Sequence, residues 1–266
     1  MAPERNIVVL VPAGDRGAGD PVAKVSGVTS KVLAPLAGTP MIIRVLNALQ
    51  TTGRVDTVVL CGPDRDAVES CPPLQEVLNK DNVAWVPPER SLAGSVQAGL
   101  AGIDLGALVL ITTADHALLD TGTLDYFLDR VVESHADVSV GLVDYALVRR
   151  AYPGVRRTVL KFSESGYCGC NLYALNGARA TEIISLWQRT QAYRKRPWRM
   201  ALGLLGFRAL ARYACGRLSL QQTRQAIMKA TGVNVDFIDL PFPHAGIDID
   251  TPEDLDLAKQ ILEQRH

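Results

Sequence analysis

Three aspartates stand where aspartate is not common. Asp115 directly follows the apolar run ALVLITTA (107–114), and Asp248 and Asp250 alternate with isoleucines in GIDID (246–250). Aspartate is disfavoured inside strands and favoured at helix caps and turns. A carboxylate at the end of a buried strand therefore calls for a local cap or a cation. Magnesium uses one or two carboxylates and leaves its other positions to water and phosphate oxygens. Asp115 with Asp248, or with Asp250 as second choice, could supply that pair. The residues that follow need no ligand: Thr251 reads as a helix N-cap, Pro252 as the first helical residue, and Glu253 and Asp254 complement the helix dipole.

Positive charge comes from VPAGDRGAGDPVAKVSGVTSKVLAPLAGTP (11–40), which carries Arg16 and Lys31. Long irregular connections in a compact domain are usually functional. Gly14, Gly17 and Gly19 let the backbone approach a ligand, adopt positive φ and aim free amides at phosphate oxygens. Their spacing, G-x-x-G-x-G, fits neither the dinucleotide fingerprint nor the P-loop. In PPERSLAGSVQAGL (87–100), Ser91 is the expected helix cap. Gly94 and Ser95 would let a flat base lie against the backbone.

These residues need a scaffold that delivers them to one edge. Short apolar, β-branched runs recur at 6–11, 57–61, 83–86, 107–113 and 137–143, separated by helical patterns at 40–51, 91–101 and 120–134, with a last helix at 252–264. Continuous apolar strands alternating with helices predict an α/β fold with a mainly parallel sheet. Ligands of such sheets bind beyond the carboxyl ends of the strands. Further strands are expected at 158–163, 168–175 and 235–240, and a helical insertion at 178–231, within a single domain spanning 1–266.

Bulk properties narrow the function. Lys plus Arg and Asp plus Glu are balanced at 28 each, so no global field favours nucleic acid. The five cysteines form no C-x-x-C pair, which argues against a zinc site or disulfide framework and suits a reducing cytoplasm. The N-terminal apolar run is too short for a signal-peptide core or a membrane span, so no targeting segment is expected.

Taken in order, V-P-A-G-D-R, K-V-L-A-P-L-A-G-T-P-M, S-L-A-G-S-V-Q-A-G-L, T-T-A-D-H-A-L-L and D-I-D-T-P-E-D-L resemble the motifs of the MobA-like nucleotidyltransferases. The resemblance covers about residues 6–143 and 235–264. It implies a Rossmann-like, mainly parallel sheet flanked by helices, of the nucleotide-diphospho-sugar transferase type. It also implies a nucleoside triphosphate donor and Mg2+. On that resemblance, Pro12, Ala13, Gly14, Asp15 and Arg16 line the triphosphate and Lys31 neutralises charge at the α-phosphate. Gly94, Ser95 and Ala114 border the nucleotide, and Asp115 and Asp248 hold the metal, with Asp250 as alternative. Arg16, Lys31 and Asp115 are the expected catalytic residues. One departure is the longer segment from Gly17 to Ser30, which contains Asp20 and Lys24.

A phosphomonoester acceptor, with a second pKa near 6, is already ionised at neutral pH and needs no general base. Attack on the α-phosphorus with loss of pyrophosphate then depends on positioned cations. The stretch 194–217 sets Arg194, Lys195, Arg196, Arg199, Arg208 and Arg212 beside Trp198, Leu202, Leu204, Leu205 and Phe207. It is expected to cover the core as a helical pair with a basic side, or to meet an anionic membrane surface or a second copy of the chain. Hence the expected acceptor is a lipid head-group or polyol phosphate, with CTP as donor. Competing readings are a molybdopterin guanylyl- or cytidylyltransferase, a metal-dependent glycosyltransferase and a non-catalytic nucleotide-binding protein.

Overall fold

Uninterrupted apolar runs become strands that are buried along their length. In the computed structural model, which describes residues 6–14, 19–89, 91–104, 106–177, 179 and 197–265, β1 (Ile7–Pro12) and β6 (Leu108–Thr112) are buried at every position. The chain groups into two compact units, Met1–Tyr126 with Ile247–His266, and Phe127–Gly246.

The first unit is built on four parallel strands in the order β6–β1–β4–β5, where β4 is Thr57–Cys61 and β5 is Val83–Val86. Leu10 pairs with Val59 on one side and Ile111 on the other. Hydrogen bonding continues past the strand ends: Ala114 N–H donates to the Pro12 carbonyl (3.1 Å), Ala13 N–H to Cys61 (2.8 Å) and Gly62 N–H to Val86 (2.9 Å). The connections after β1, β4, β5 and β6 thus leave from one carboxyl edge. Between the strands lie α2 (Met41–Thr51) and α5 (Leu92–Leu100), with α6 (Thr121–Ser134) after β6 and α10 (Pro252–Glu263) closing the chain. Each falls within a residue or two of the helix expected from sequence. Two short helices, α3 (Arg65–Glu69) and α4 (Pro72–Leu78), join β4 to β5.

The long connection after β1 is more ordered than its glycines suggest. Asp20, only 3% exposed, caps α1 (Pro21–Ser26) by accepting from the Val22 and Ala23 amides, at 2.9 and 3.4 Å. Gly27 ends the helix in the left-handed conformation, φ 67°. A 3-10 turn, Lys31–Leu33, leads into a small hairpin of β2 (Pro35–Leu36) and β3 (Thr39–Pro40). Its two turn residues, Ala37 and Gly38, both have positive φ (51° and 78°), as tight two-residue hairpin turns require.

In the second unit β7 (Val138–Asp144) pairs in parallel with β10 (Val235–Asp239) and antiparallel with β9 (Gly166–Asn176), which also carries the two-residue β8 (Leu160–Lys161). The strand expected at 158–163 is therefore reduced to its middle, and the one expected at 168–175 is extended at both ends. The unit's helices are α7 (Tyr145–Ala151), α8 (Pro197–Ala214) and α9 (Leu220–Thr231). Gly206 breaks α8 with non-helical angles, φ 76° and ψ 165°. Just beyond the break Phe207 is 75% exposed, and Arg208 and Arg212 are exposed as well. Arg194, Lys195 and Arg196 of the basic stretch lie outside the described residues. Among the described residues no helix is long and apolar enough to cross a membrane.

Candidate active site

The 3-10 turn after α1 places Lys31, with 7% of its surface exposed, among carboxylates from two other segments. Its Nζ donates to Asp115 Oδ2 at 2.7 Å and to Asp250 Oδ1 at 2.8 Å. These are charge-assisted hydrogen-bond distances. Burial by itself would pull the lysine pKa down. The two carboxylates outweigh it and hold the ammonium above the usual lysine range, so Lys31 stays charged.

The Asp115 carboxylate is braced, and so is the backbone that carries Asp250. Asp115 leaves the end of β6, where Thr113 Oγ1 donates to its Oδ1 at 2.6 Å, and its carbonyl accepts from Ile249 N–H at 3.2 Å. Asp250 precedes α10. The amides of Asp250 and Thr251 and the Thr251 hydroxyl all donate to Asp254 Oδ2, between 3.0 and 3.2 Å, while Asp254 N–H returns to Thr251 Oγ1. Thr251 is the N-cap expected from T-P-E-D, and the bonds to Asp254 complete it as a reciprocal capping box. The two aspartates do not sit in a strand: Ile247–Asp250 has no regular secondary structure, and its Ile249 amide bonds the turn after β6 rather than a neighbouring ladder.

Asp250, the second choice from sequence, is thus the aspartate that joins Asp115 on one ammonium; Asp248 lies half-buried in the same segment. Thr113 is not among the residues singled out from sequence, and Asp254 is expected there only to complement the helix dipole. Their signals were there, in the i to i+2 Thr-x-Asp spacing and in the capping box.

The donor set fits magnesium by chemistry. Asp115 and Asp250 offer only oxygen, and the three side chains together carry one positive and two negative charges, which leaves room for a hard cation. Among the described residues no group of three or more His, Cys, Asp or Glu side chains is arranged to hold a metal. A cation here would rest on the two carboxylates and complete its shell with water and phosphate oxygens.

Pro12, Ala13 and Ala114 are buried at the same edge. Ala13 spends its amide on Cys61, so amides offered to a ligand must come from further along the loop. Gly14 and Gly19 do not take positive φ, and a Cβ built on either meets nothing within 4 Å. Asp15, Arg16 and Gly17 lie outside the described residues. Ser91 caps α5 as expected, accepting from Gly94 N–H at 3.1 Å. Ser95 is 2% exposed and its Oγ accepts from Glu89 N–H at 3.1 Å, which fastens the β5–α5 connection to its helix. His116 is fully buried, with Nδ1 3.5 Å from Thr112 Oγ1 behind the strand end.

Comparison with known proteins gives a consistent picture. The sequence model of the MobA-like NTP transferase domain matches residues 10–170. The bifunctional protein GlmU of Sinorhizobium fredii is 25% identical over 197 residues, covering 67% of this chain and 40% of GlmU. The chain thus spans about two fifths of the length of that relative. A hypothetical transferase from Thermus thermophilus superposes with a TM-score of 0.77 at 28% identity, over 94% of this chain and 99% of that one. The fold is shared with 4-diphosphocytidyl-2C-methyl-D-erythritol synthase from Anaerococcus prevotii (TM-score 0.59, 12% identity, 98% of this chain and 99% of that one). It is shared too with CMP:2-keto-3-deoxy-manno-octonic acid synthetase in complex with CTP (TM-score 0.60, 12% identity, 98% and 100%).

Proposed function

Because the chain belongs to the MobA-like NTP transferase domain family, we propose that it transfers a nucleoside monophosphate from a nucleoside triphosphate to a phosphorylated small molecule. The observation that carries this reading is the cluster of Lys31, Asp115 and Asp250 at the carboxyl edge of four parallel strands, beside an open glycine backbone. An oxygen of the acceptor phosphate attacks the α-phosphorus. The bond from that phosphorus to the oxygen bridging it to the β-phosphate breaks, and pyrophosphate leaves with the electron pair.

Charge accumulates on the phosphoryl oxygens during this step, so fixed cations supply most of the stabilisation. Lys31 supplies one, and Arg16 is proposed to supply a second. Magnesium, held by Asp115 and Asp250 or Asp248, would neutralise triphosphate charge and orient its oxygens. Gly14 and the residues after it give the phosphates close access to the backbone. The acceptor phosphate is ionised at neutral pH, which matches a site built from charges without a nucleophile and base pair.

CTP is the preferred donor in this proposal, and a lipid head-group or polyol phosphate the acceptor. That preference rests on Phe207 standing exposed beside exposed Arg208 and Arg212, a pairing suited to an anionic interface. The test is thermal stabilisation by CTP, GTP, UTP and ATP with and without Mg2+, followed by pyrophosphate release with a panel of alcohol and polyol phosphates. Ligands that bind the folded state raise the melting temperature by mass action. A magnesium-dependent shift with CTP and acceptor-dependent pyrophosphate release is the expected result. No shift with any triphosphate, together with stabilisation by a nucleotide sugar and release of its sugar, would replace this reading with glycosyl transfer.

A further inference from the structure

The ammonium of Lys31 already does a cation's work. Nζ bonds one oxygen of Asp115 and one of Asp250 at 2.7 and 2.8 Å, and these carboxylates are among those proposed above to hold a divalent ion. A lysine ammonium and a divalent cation repel each other strongly when both approach the same pair of oxygens. We infer that Lys31 is a placeholder which competes with the divalent cation for Asp115 and Asp250, and that its displacement ties metal binding to triphosphate binding.

The charge balance gives the coupling its direction. Lys31, Asp115 and Asp250 by themselves sum to a single negative charge, and the two carboxylates oppose the approach of a triphosphate. Addition of a divalent cation turns the same group of side chains net positive and sets the lysine free, with its charge, for the phosphates. Metal alone must displace an ion pair, and triphosphate alone must approach two carboxylates. Together each removes the obstacle to the other, and by linkage the assistance is reciprocal.

The geometry permits the exchange. The Lys31 side chain is 9% exposed and that of Asp115 20%, whereas Asp250 is 54% exposed, so a hydrated cation can approach from the Asp250 side. Asp115 and the backbone around Asp250 are braced by Thr113 and Asp254, so the exchange asks a rotation of the four-carbon lysine stem and not a movement of the carboxylates' supports.

This inference rests on the proposed nucleotidyl transfer for its purpose, and its test is kept separate. Mn2+ is titrated into the purified full chain without nucleotide, and free Mn2+ is read by electron paramagnetic resonance. Lys31→Met keeps much of the apolar stem and removes the charge. It should bind Mn2+ at least tenfold more tightly than the parent, and Mn2+ should raise its melting temperature more than the parent's. Equal or weaker Mn2+ binding by the variant would overturn the placeholder role. Should that variant fail to fold, the parent chain suffices: reductive methylation of Lys31, followed by peptide mass spectrometry, should run several-fold faster with saturating Mg2+. An unchanged rate would overturn the inference equally. Magnesium-dependent pyrophosphate release beside unaltered Mn2+ affinity would retire the placeholder and keep the transferase. Tighter Mn2+ binding by Lys31→Met, in a chain inert toward every triphosphate, would do the reverse.

Discussion

Two glycine-bearing segments leave the same edge of the four-stranded sheet, and they use glycine for opposite reasons. After β1, a Cβ on Gly14 or Gly19 would meet no atom within 4 Å, and neither residue needs positive φ. In α5, which follows β5, a Cβ on Gly94 would lie 3.1 Å from the Glu89 side chain and 3.1 Å from Ser91 Oγ. One on Gly99 would lie 2.7 Å from Cys61 Sγ and 3.1 Å from Leu10. Packing accounts for the second pair and not for the first. Glycine without a folding reason, in the connection that leaves the sheet edge where Asp115 stands, points to a role in binding.

The sharpest way to test that division is to remove the charge on the ligand side. Lys31→Ala should lower turnover by about 10²–10³-fold, the size typical of losing one preorganised group that stabilises transition-state charge. It should also cost stability, because Asp115 and Asp250 would lose the ammonium they share. Breaking a fully buried pair costs about 3–5 kcal/mol. Here water reaches Asp250, 54% exposed, and screening should hold the loss to roughly 2 kcal/mol. Steady-state kinetics beside chemical denaturation separates the two effects. Turnover that falls only in proportion to the folded fraction would make Lys31 a structural ion pair and erase the contrast between the segments.

On the packing side the effect is on stability alone. Gly99→Ala gains helix propensity worth about 0.5–1 kcal/mol, but it drives a methyl into Cys61 and Leu10. Overpacking of this kind costs about 1–3 kcal/mol, so a net destabilisation of about 1–2 kcal/mol is expected. Adding Cys61→Ala should return part of it, with a favourable coupling of roughly 1 kcal/mol in a double-mutant cycle. The folded fraction should keep the parent turnover. A stable Gly99→Ala chain with lost activity would move α5 to the binding side of the comparison.

Much of this arrangement could be read before any coordinates. Buried parallel strands announce themselves as unbroken apolar runs, so the sheet edge and the place of Asp115 on it followed directly. Lys31 was legible as a positive charge set before a Pro-Leu-x-Gly-x-Pro turn in a long connection. The choice between Asp248 and Asp250 was not, because residues two apart in an extended chain share a side and only the tertiary distance to Lys31 separates them. Asp20 stood out only as part of a connection longer than the family's; its hydrogen bonds from the Val22 and Ala23 amides assign it to capping α1. The roles expected of Ser95 and Gly94 came from their small size, which suits a ligand and a tight helix contact equally well. Composition cannot distinguish those, and the bond from Glu89 N–H to Ser95 Oγ now supplies a folding reason.

The remaining contrast hangs on one methyl group. Gly14→Ala adds a Cβ in open space at a residue without positive φ, so the folded chain has no steric ground to object. Its stability should change by less than about 0.5 kcal/mol, as for an ordinary surface substitution. The same methyl would stand where a triphosphate needs the backbone close, and an effect of about tenfold on kcat/KM is expected, equivalent to about 1.4 kcal/mol in the transition state. The loss should appear for the nucleotide and not for the acceptor, because Gly14 follows Ala13 at the edge assigned to the phosphates. Unchanged kinetics in a fully folded Gly14→Ala chain would show that space beside a glycine marks solvent here as readily as it marks a ligand, and the assignment would then rest on Lys31 and its two aspartates alone.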